Sequence, residues 1–288
     1  MNEVPEQLIN AATRGKLALF VGAGISANAT NRAGEHPPKW PELLLKLAEL
    51  TTESTQNDIG ELVQNMQLLK AAELLRFEIN KAAKQRELIN RIKLLTNGPT
   101  SDPFSPSDWH TLIDDLNPQI IITTNYDKLL EGQSPDTYTI DTYKSTGLDS
   151  VIRNGETVIL KIHGDISRAH EADNDIVLSI SDYAHARREG QLAFQLLRAI
   201  FLTHTTLFIG YSMTDPDLQV VLEELFSGRT LHSPHYLFTQ GAKDFEIDYF
   251  ANCYGIKVLN FDDYGYSLFE EFVTQTAQLT LGSQLTNI

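Results

Sequence analysis

Short runs of apolar residues alternate along the chain with longer segments in which apolar residues recur every three or four positions. The short runs have the length of buried strands, and the three-to-four spacing is typical of helices that bury one face. Strands that alternate with helices predict a doubly wound, mostly parallel, Rossmann-like α/β sheet that is covered on both faces. The predicted strands are 17–21, 119–123, 137–143, 158–162, 176–179, 207–210, 236–239 and 257–261.

A helical segment separates the first two predicted strands. Between residues 58 and 95 the apolar positions keep the helical spacing, with no strand-like alternation. We therefore expect a helical insert at approximately 43–96, within a single domain that spans residues 1–288. We also predict one continuous helix from about residue 181 to residue 203, directly after the strand 176–179.

Composition narrows the class of protein. The chain has 288 residues and a formal net charge of −15, so it lacks the broad basic surface that direct nucleic-acid binding requires. Its one cysteine, Cys253, cannot form an intrachain disulfide or a zinc site built from cysteine pairs. No apolar stretch approaches the roughly 18 residues of a membrane span, and the start lacks a signal-peptide pattern. We therefore predict a cytoplasmic protein with no bound metal and no membrane or nucleic-acid contact.

The first predicted strand ends in the turn Gly22-Ala23-Gly24-Ile25-Ser26. Glycine lets a phosphate approach the backbone, and a helix that begins here offers free amide groups and a favourable dipole. The third glycine of a dehydrogenase fingerprint and the Gly-Lys-Ser/Thr of a P-loop are both missing. Taken alone, the turn is equally consistent with phosphate binding and with a tight strand–helix connection that binds nothing.

Polar residues also follow three later predicted strands. They are Thr124, Asn125 and Asp127 after the second strand, His163 after the strand 158–162, and Gly210, Ser212 and Asp215 after the strand 207–210. Each group alone is explained by helix capping or by a structural histidine. In a parallel sheet, however, the carboxyl ends of the strands meet at one edge, and ligands bind there. Together the four strand ends therefore predict one site for a dinucleotide.

The order of these motifs resembles the sirtuin superfamily, whose members cleave NAD. The resemblance covers roughly residues 15–265 and is strongest for the bacterial sirtuin-like branch found in antiphage defence. That branch carries Pro-x-Trp-x-x-Leu and Gly-Tyr-Ser-x-x-Asp segments, here at 38–43 and 210–215. The zinc-binding cysteines and the Pro-Asp-Phe-Arg segment of the protein deacylases are absent from this sequence. The resemblance therefore implies NAD as substrate, water as acceptor and no zinc module.

The resemblance also implies roles for individual residues. Asn125 is expected to position the water, His163 to accept a proton from a ribose hydroxyl, and Asp127 to lie near the carboxamide. The expected binding residues are Gly22, Ala23 and Gly24 at the pyrophosphate, Ser26 and Asn125 at the nicotinamide-ribose pocket, and Gly210, Ser212 and Asp215 at the adenosine half and its loop. Thr124, in the same motif as Asn125, is expected to bind the cofactor as well. Either Asp127 or Asp165 could orient the His163 imidazole, and the sequence leaves that choice open.

The function implied by the resemblance is that of an NAD hydrolase (NADase), which releases nicotinamide and ADP-ribose, in a linear or a cyclic form that the sequence leaves open. Such an enzyme would be a defence effector that depletes NAD and stays off until it is triggered. No part of the sequence has the pattern of a sensor domain, so we expect control by homo-oligomerisation or by a partner. By resemblance the partner is a HerA-type ATPase, or alternatively an Argonaute-type protein. The alternative hypothesis is a module that binds NAD or ADP-ribose and sets assembly in an ATPase-containing complex, with little turnover.

Overall fold

A parallel sheet forms the centre of the protein. The computed structural model describes residues 3–132, 136–169, 175–227, 234–261 and 264–285. The strands are β1 (Leu17–Val21), β2 (Ile120–Thr123), β3 (Thr139–Thr142), β4 (Val158–Lys161), β5 (Thr205–Ile209), β6 (His235–Gln240) and β7 (Ile256–Phe261). Among the described residues these seven strands form one sheet in the order β3-β4-β2-β1-β5-β6-β7, and every neighbouring pair is parallel. The predicted fold class is confirmed.

Helices cover both faces of the sheet and fill the segment between β1 and β2. In the described part of the chain they are α1 (Glu6–Thr13), α2 (Ala23–Ser26), α3 (Trp40–Ala48), α4 (Glu53–Gln64), α5 (Leu68–Lys81), α6 (Gln85–Asn97), α7 (Asp108–Leu116), α8 (Leu148–Arg153), α9 (Ile180–Glu189), α10 (Gln191–Thr203), α11 (Pro216–Phe226), α12 (Asp244–Tyr254) and α13 (Gly265–Leu285). No helix within these ranges has both the length and the apolar content that crossing a membrane requires.

Side chains of β1 point alternately to the two faces of the sheet. Leu17, Leu19 and Val21 belong to the core formed with α1, α7 and α13. Ala18 and Phe20 belong to the core formed with the helices α9 to α12. Because both faces are covered, every residue of the strand is buried. This explains why the strand is a continuous apolar run in the sequence rather than an alternating one.

The strand ends that carry the polar motifs lie level with one another. In the strand register, Val21 of β1 is paired with Thr123 of β2 and with Ile209 of β5, and Thr123 is paired with Lys161 of β4. The chain proceeds from β1 toward β2 and β4, and returns to the other side of β1 with β5. The boundary between β1 and β5 is therefore the topological switch point, where open α/β sheets bind their ligands.

The insert between β1 and β2 has a core of its own. The helices α3 to α6 contribute buried side chains such as Leu44, Leu47 and Leu75. Ile176 and Leu178, from the segment before α9, complete this core. The insert is thus packed against the part of the chain that lies next to the end of β4.

A buried ion pair joins the insert to α9. The Arg76 guanidinium donates to Asp182 Oδ2 from Nε at 3.1 Å and from Nη2 at 2.7 Å, and Nη2 also donates to the Ile176 carbonyl at 3.1 Å. Both charged side chains are more than nine-tenths buried. Removing one partner of such a pair leaves an uncompensated buried charge, which is strongly destabilising. The pair therefore fixes how α5 lies against α9.

The strand predicted at 176–179 is wrong. The structure describes these residues and gives them no strand; the Val177 amide donates to the His163 carbonyl at 3.0 Å. Ser179 and Asp182 then form the capping box that begins α9. The run is apolar because Ile176 and Leu178 are buried in the core of the insert and Val177 in the core on the sheet, and burial alone does not distinguish a strand from an extended connection.

The single helix predicted from 181 to 203 is also wrong, because it is interrupted at Gly190 between α9 and α10. A Cβ at Gly190 would lie 2.8 Å from the Ala186 carbonyl oxygen and 3.0 Å from that of Tyr143. Glycine is needed here because two backbone segments approach more closely than a side chain allows.

His235 at the start of β6 predicts a loss of stability in weak acid. It is 2% exposed, its Nδ1 accepts the Thr206 amide at 3.0 Å, and burial lowers its pKa to about 4. In the unfolded chain this histidine binds a proton below its ordinary pKa of 6.5, whereas in the folded protein it does so only below about pH 4. The stabilisation is therefore complete above pH 6.5 and is lost as the pH falls from about 6.5 to 4. The full loss corresponds to about 3 kcal/mol.

His235→Asn is expected to remove this part of the pH dependence, since its Oδ1 can still accept the Thr206 amide. Urea unfolding at pH 7 and at pH 4.5 measures the difference between the variant and the wild type. His185→Asn, at a partly exposed position of α9, is the matched control and should retain the wild-type slope. Equal pH dependence in the wild type and in His235→Asn would contradict the prediction.

Candidate active site

A cavity of about 640 Å³ lies at the carboxyl ends of β1, β2, β4 and β5. Its volume is in the range of sites that bind small molecules and cofactors. The sequence-predicted residues that line it are Ala23, Gly24, Ser26, Thr124, Asn125, Asp127, His163, Gly210, Ser212 and Asp215. Gly22 is not one of the residues that line the cavity in the described part of the chain. The tertiary structure thus brings the four polar strand ends to one cavity.

The glycine turn after β1 packs against the loop after β5. The Gly22 amide donates to the Ile209 carbonyl at 3.0 Å, and the Gly24 amide donates to the Gly210 carbonyl at 2.8 Å. A Cβ at Gly22 or at Gly24 would lie 2.4 Å or 2.7 Å from the Gly210 oxygen, closer than real Cβ contacts. The helix α2 that follows has only four residues. The two glycines therefore serve close packing between loops, and the assignment of the turn to a pyrophosphate stays a prediction.

A hydrogen-bond relay joins this turn to the end of β2. Asn125 Nδ2 donates to Ser26 Oγ at 2.9 Å, and Ser26 Oγ donates to Asp127 Oδ2 at 2.8 Å. The other carboxylate oxygen of Asp127 accepts the Leu129 amide at 3.0 Å. Ser26, Asn125 and Asp127 are each at most 6% exposed. Ser26 and Asp127 thus hold Asn125 in place, and their predicted roles at the nicotinamide ribose and near the carboxamide stay predictions.

Both hydrogen bonds of this relay are donated in the same direction, from Asn125 through Ser26 to Asp127. A carboxylate only accepts hydrogen bonds, so the Ser26 hydroxyl proton points to Asp127 and the Ser26 oxygen accepts from Asn125. The Asn125 amide therefore turns its NH₂ group toward Ser26 and its Oδ1 away. That Oδ1 is buried and has no hydrogen-bond partner among the residues described. An unpaired buried carbonyl is costly unless a ligand or water satisfies it, so Asn125 offers an acceptor in this cavity.

A buried lysine holds the same turn from the β4 side. Lys161 Nζ donates to the Asp127 backbone carbonyl at 2.5 Å and to Glu131 at 2.8 Å, and lies 3.6 Å from Asp165 Oδ1. Burial raises the pKa of Asp165. The Lys161 charge and the hydrogen bonds from Ser167 outweigh burial, so the pKa lies below its ordinary value. Asp165 is therefore committed to Lys161 and Ser167.

His163 pairs with a third acid, Asp215. Nε2 of His163 lies 2.8 Å from Asp215 Oδ2. The expectation that Asp127 or Asp165 orients the imidazole is wrong, because the first carboxylate bonds Ser26 and the second lies against Lys161. The sequence placed Asp215 in the adenosine loop, but the turn from β5 to α11 carries its carboxylate to the histidine.

Sequence reasoning missed two kinds of residue at this site. Tyr183 of α9 donates its hydroxyl to Asp215 Oδ2 at 2.7 Å, and its ring stands edge-on to the His163 ring with the centroids 5.1 Å apart. Trp109 and Phe238 add aromatic surface to the cavity wall. These residues lie in the ordinary apolar pattern of a helix or a strand, so no local signal distinguishes them from core residues.

The fold and the cavity define a Rossmann-like protein with a nucleotide-sized site at the switch point of its sheet. In the described ranges no group of three or more histidine, cysteine, aspartate or glutamate side chains is placed to hold a metal ion. A sequence profile of the SIR2-like domain matches residues 119–259, which carry the ends of β2, β4 and β5. The chain is therefore similar to SIR2-like proteins and to bacterial sirtuins associated with defence, and the resemblance read from its motifs is confirmed.

Curated relatives agree with this similarity. A protein named NAD(+) hydrolase ThsA from Enterococcus faecium is 28% identical over 230 residues, which cover 78% of this chain and 43% of the relative. The protein of the same name from Cytobacillus dafuensis is 28% identical over 229 residues, or 76% of this chain and 40% of the relative. Defense-associated sirtuin 2 of Bacillus subtilis is 24% identical over 245 residues, or 82% and 22%. The chain thus spans less than half the length of these relatives.

Proposed function

We propose that this protein hydrolyses NAD at the nicotinamide–ribose bond and releases nicotinamide and ADP-ribose. The observation that carries the proposal is the buried Oδ1 of Asn125, which has no partner among the described residues, in a cavity that also holds the His163–Asp215 pair. Two of the relatives described above bear the name NAD(+) hydrolase, which supports the same substrate. The reaction needs a held water and a base, and the cavity offers one group for each.

Asn125 is the group for the water. Nicotinamide leaves without protonation, so the transition state has oxocarbenium character at the ribose, as in glycoside hydrolysis. A water that donates a hydrogen bond to Asn125 Oδ1 keeps a lone pair free to attack the sugar carbon. Because Ser26 holds the NH₂ group of the amide, Asn125 cannot turn to present a donor instead. The relay from Asp127 therefore orients the water indirectly.

His163 is the group for the proton. In the proposal its imidazole accepts a proton from a ribose hydroxyl, a type of assistance worth roughly 10²–10⁴-fold. The Asp215 carboxylate lies against the same ring and stabilises the imidazolium that forms. His163 itself lines the cavity and is about one-tenth exposed, so a ligand can reach it.

The cavity wall suits a dinucleotide. Trp40, Trp109 and Phe238 give it flat aromatic surface against which planar bases can pack. The two glycine-containing loops give it backbone surface without side chains at Gly24 and Gly210. A mostly apolar wall with a few placed polar groups is the usual composition of a cofactor-sized site.

The cellular role in this proposal is depletion of NAD during antiphage defence. Such an activity has to remain off in a healthy cell, so the proposal includes control by homo-oligomerisation and by a partner. A HerA-type ATPase is the first candidate and an Argonaute-type protein the second. The match to the SIR2-like domain and the name of the defence-associated relative support this role.

An assay of nicotinamide release tests the proposal. The full chain, alone and together with its co-encoded proteins, is expected to release nicotinamide from NAD in at least one of these states. His163→Ala is expected to lower that release at least about 10²-fold, because it removes the base. Liquid chromatography with mass spectrometry measures nicotinamide and shows whether ADP-ribose is linear or cyclic.

His204→Ala is the matched control, since His204 at the end of α10 is not among the described residues that line the cavity. It should keep the wild-type rate. Tight NAD binding with no nicotinamide release in any state would contradict the proposal and favour the assembly module. Full activity of His163→Ala would contradict the assignment of the base.

A further inference from the structure

One nitrogen of His163 is committed to a buried carboxylate. Nε2 lies 2.8 Å from Asp215 Oδ2, and Asp215 is 6% exposed. The same oxygen accepts the Tyr183 hydroxyl at 2.7 Å, and the other oxygen accepts the Leu218 amide at 2.9 Å. Three groups therefore hold the carboxylate: the His163 imidazole after β4, the Tyr183 hydroxyl on α9 and the Leu218 amide in the first turn of α11.

The surroundings also set the protonation states of the two partners. Burial raises the pKa of Asp215. The charge of a protonated His163 and the hydrogen bonds from His163, Leu218 and Tyr183 outweigh burial, so the pKa lies below its ordinary value. Burial and the nearby Asp215 charge raise the pKa of Tyr183 well above its ordinary value. Asp215 is also the N-cap of α11, where the helix dipole favours an anion. At neutral pH the carboxylate is thus an acceptor and the phenol a donor.

This arrangement selects one tautomer of His163. A carboxylate only accepts, and a neutral imidazole carries its single proton on one of its two nitrogens. Neutral His163 therefore carries its proton on Nε2 and has its lone pair on Nδ1. The Tyr183 ring, which stands at 83° to the imidazole plane, restricts rotation of that plane.

Resting on the proposed hydrolysis, we propose that Asp215 and Tyr183 are positioning residues that keep Nδ1 of His163 as the basic atom of the reaction. A ribose hydroxyl gives its proton to Nδ1, and the bond to nicotinamide breaks with its electron pair going to nicotinamide. Water adds to the sugar carbon and returns a proton to the ribose oxygen. The imidazolium, held against the Asp215 anion, then releases its proton to solvent. The balance is NAD and water to nicotinamide, ADP-ribose and one proton.

Asp215→Asn tests this role. Asparagine keeps an oxygen for the Leu218 amide but places an NH₂ group where Oδ2 lies, so Nε2 has to accept and the proton has to move to Nδ1. We expect the tautomer to invert in ¹⁵N NMR spectra of histidine-labelled protein, with the His163 signals identified by their loss in His163→Gln. We expect kcat for nicotinamide release to fall roughly 10²–10⁴-fold, with little change in KM, because the base and not the binding is affected.

Tyr183→Phe is the second variant and serves if Asp215→Asn does not fold. It removes one of the three donors to Asp215, so the Nε2–H hydrogen bond strengthens and its proton signal moves downfield. The tautomer is retained and kcat falls by a smaller factor than in Asp215→Asn. Asp217→Asn is the matched control, because Asp217 pairs with Arg187; it should keep both the tautomer and kcat.

The outcomes separate this proposal from the proposed function. An Nε2-protonated His163 in Asp215→Asn would overturn the positioning role, whether or not the enzyme is active. An inverted tautomer with wild-type kcat would overturn it as well. If the tautomer inverts but the wild type releases no nicotinamide, the positioning of His163 is supported and the proposed hydrolysis of NAD is contradicted.

Discussion

Replacement of Asn125 by alanine is expected to lower the rate of nicotinamide release by roughly 10²–10⁴-fold while the chain remains folded. The Oδ1 of Asn125 is a buried acceptor without a partner among the described residues, and its loss leaves the attacking water without the group that orients it. Single-turnover release of nicotinamide measures the chemical step. Urea unfolding checks the fold, and Asn65→Ala on the exposed end of α4 controls for the substitution type.

The relay predicts how Ser26 combines with Asn125. Ser26→Ala is expected to slow the reaction because the Asn125 amide loses the acceptor that fixes its orientation. If Ser26 acts only through Asn125, Ser26→Ala has no further effect on the rate in the Asn125→Ala background. Additive effects of the two substitutions would show that Ser26 contacts the substrate by itself, as the motif resemblance implied. Wild-type rates in Asn125→Ala would refute the assignment of the water site.

Gly22→Ala is expected to destabilise the protein by about 1–3 kcal/mol and to reduce nicotinamide release together with stability. The new Cβ would lie 2.4 Å from the Gly210 oxygen and 2.6 Å from the Tyr211 Cα, so the loop after β5 has to move. That loop leads to Asp215, so a displacement reaches His163 as well. The midpoint of urea unfolding and the rate of release measure the two effects.

Gly60→Ala is the matched control for this change. Gly60 lies inside α4, and a Cβ there would meet nothing within 4 Å. Alanine in a helix interior is favoured over glycine, so the control is expected to stabilise by about 0.5–1 kcal/mol and to leave the reaction unchanged. If Gly22→Ala keeps full stability and loses only NAD affinity, the glycine serves a phosphate and not the packing of the two loops.

Much of the fold could be predicted from local pattern. β1 has the predicted bounds 17–21, and β6 and β7 contain the predicted strands 236–239 and 257–261. The failures have a common cause. Burial in two different cores makes 176–178 apolar without making this segment a strand, and the close backbone contact at Gly190 ends a helix that the spacing alone would continue. Both depend on neighbours that are distant in sequence.

The candidate site shows the same division. Chemistry-bearing residues such as Asn125 and His163 could be found because polar groups directly after apolar strands are unusual in a pattern dominated by burial. Tyr183 could not, because a tyrosine on a helix has no local feature that separates a site residue from a core residue. The choice of Asp215 over Asp127 and Asp165 also escaped sequence reasoning, since all three follow strands and all three are acids.

By itself the sequence determined the alternation of strands and helices, the parallel sheet that follows from it, and the strand ends that carry polar groups. These features depend on periodicity and on residues a few positions apart, which a single chain displays directly. Only the tertiary structure decided that Ser26 and Asp127 hold Asn125, that Asp215 and Tyr183 hold His163, and that the glycines pack one loop against another. The physical reason is that such contacts join residues up to about a hundred positions apart, and strand order, register and turn geometry select the partners.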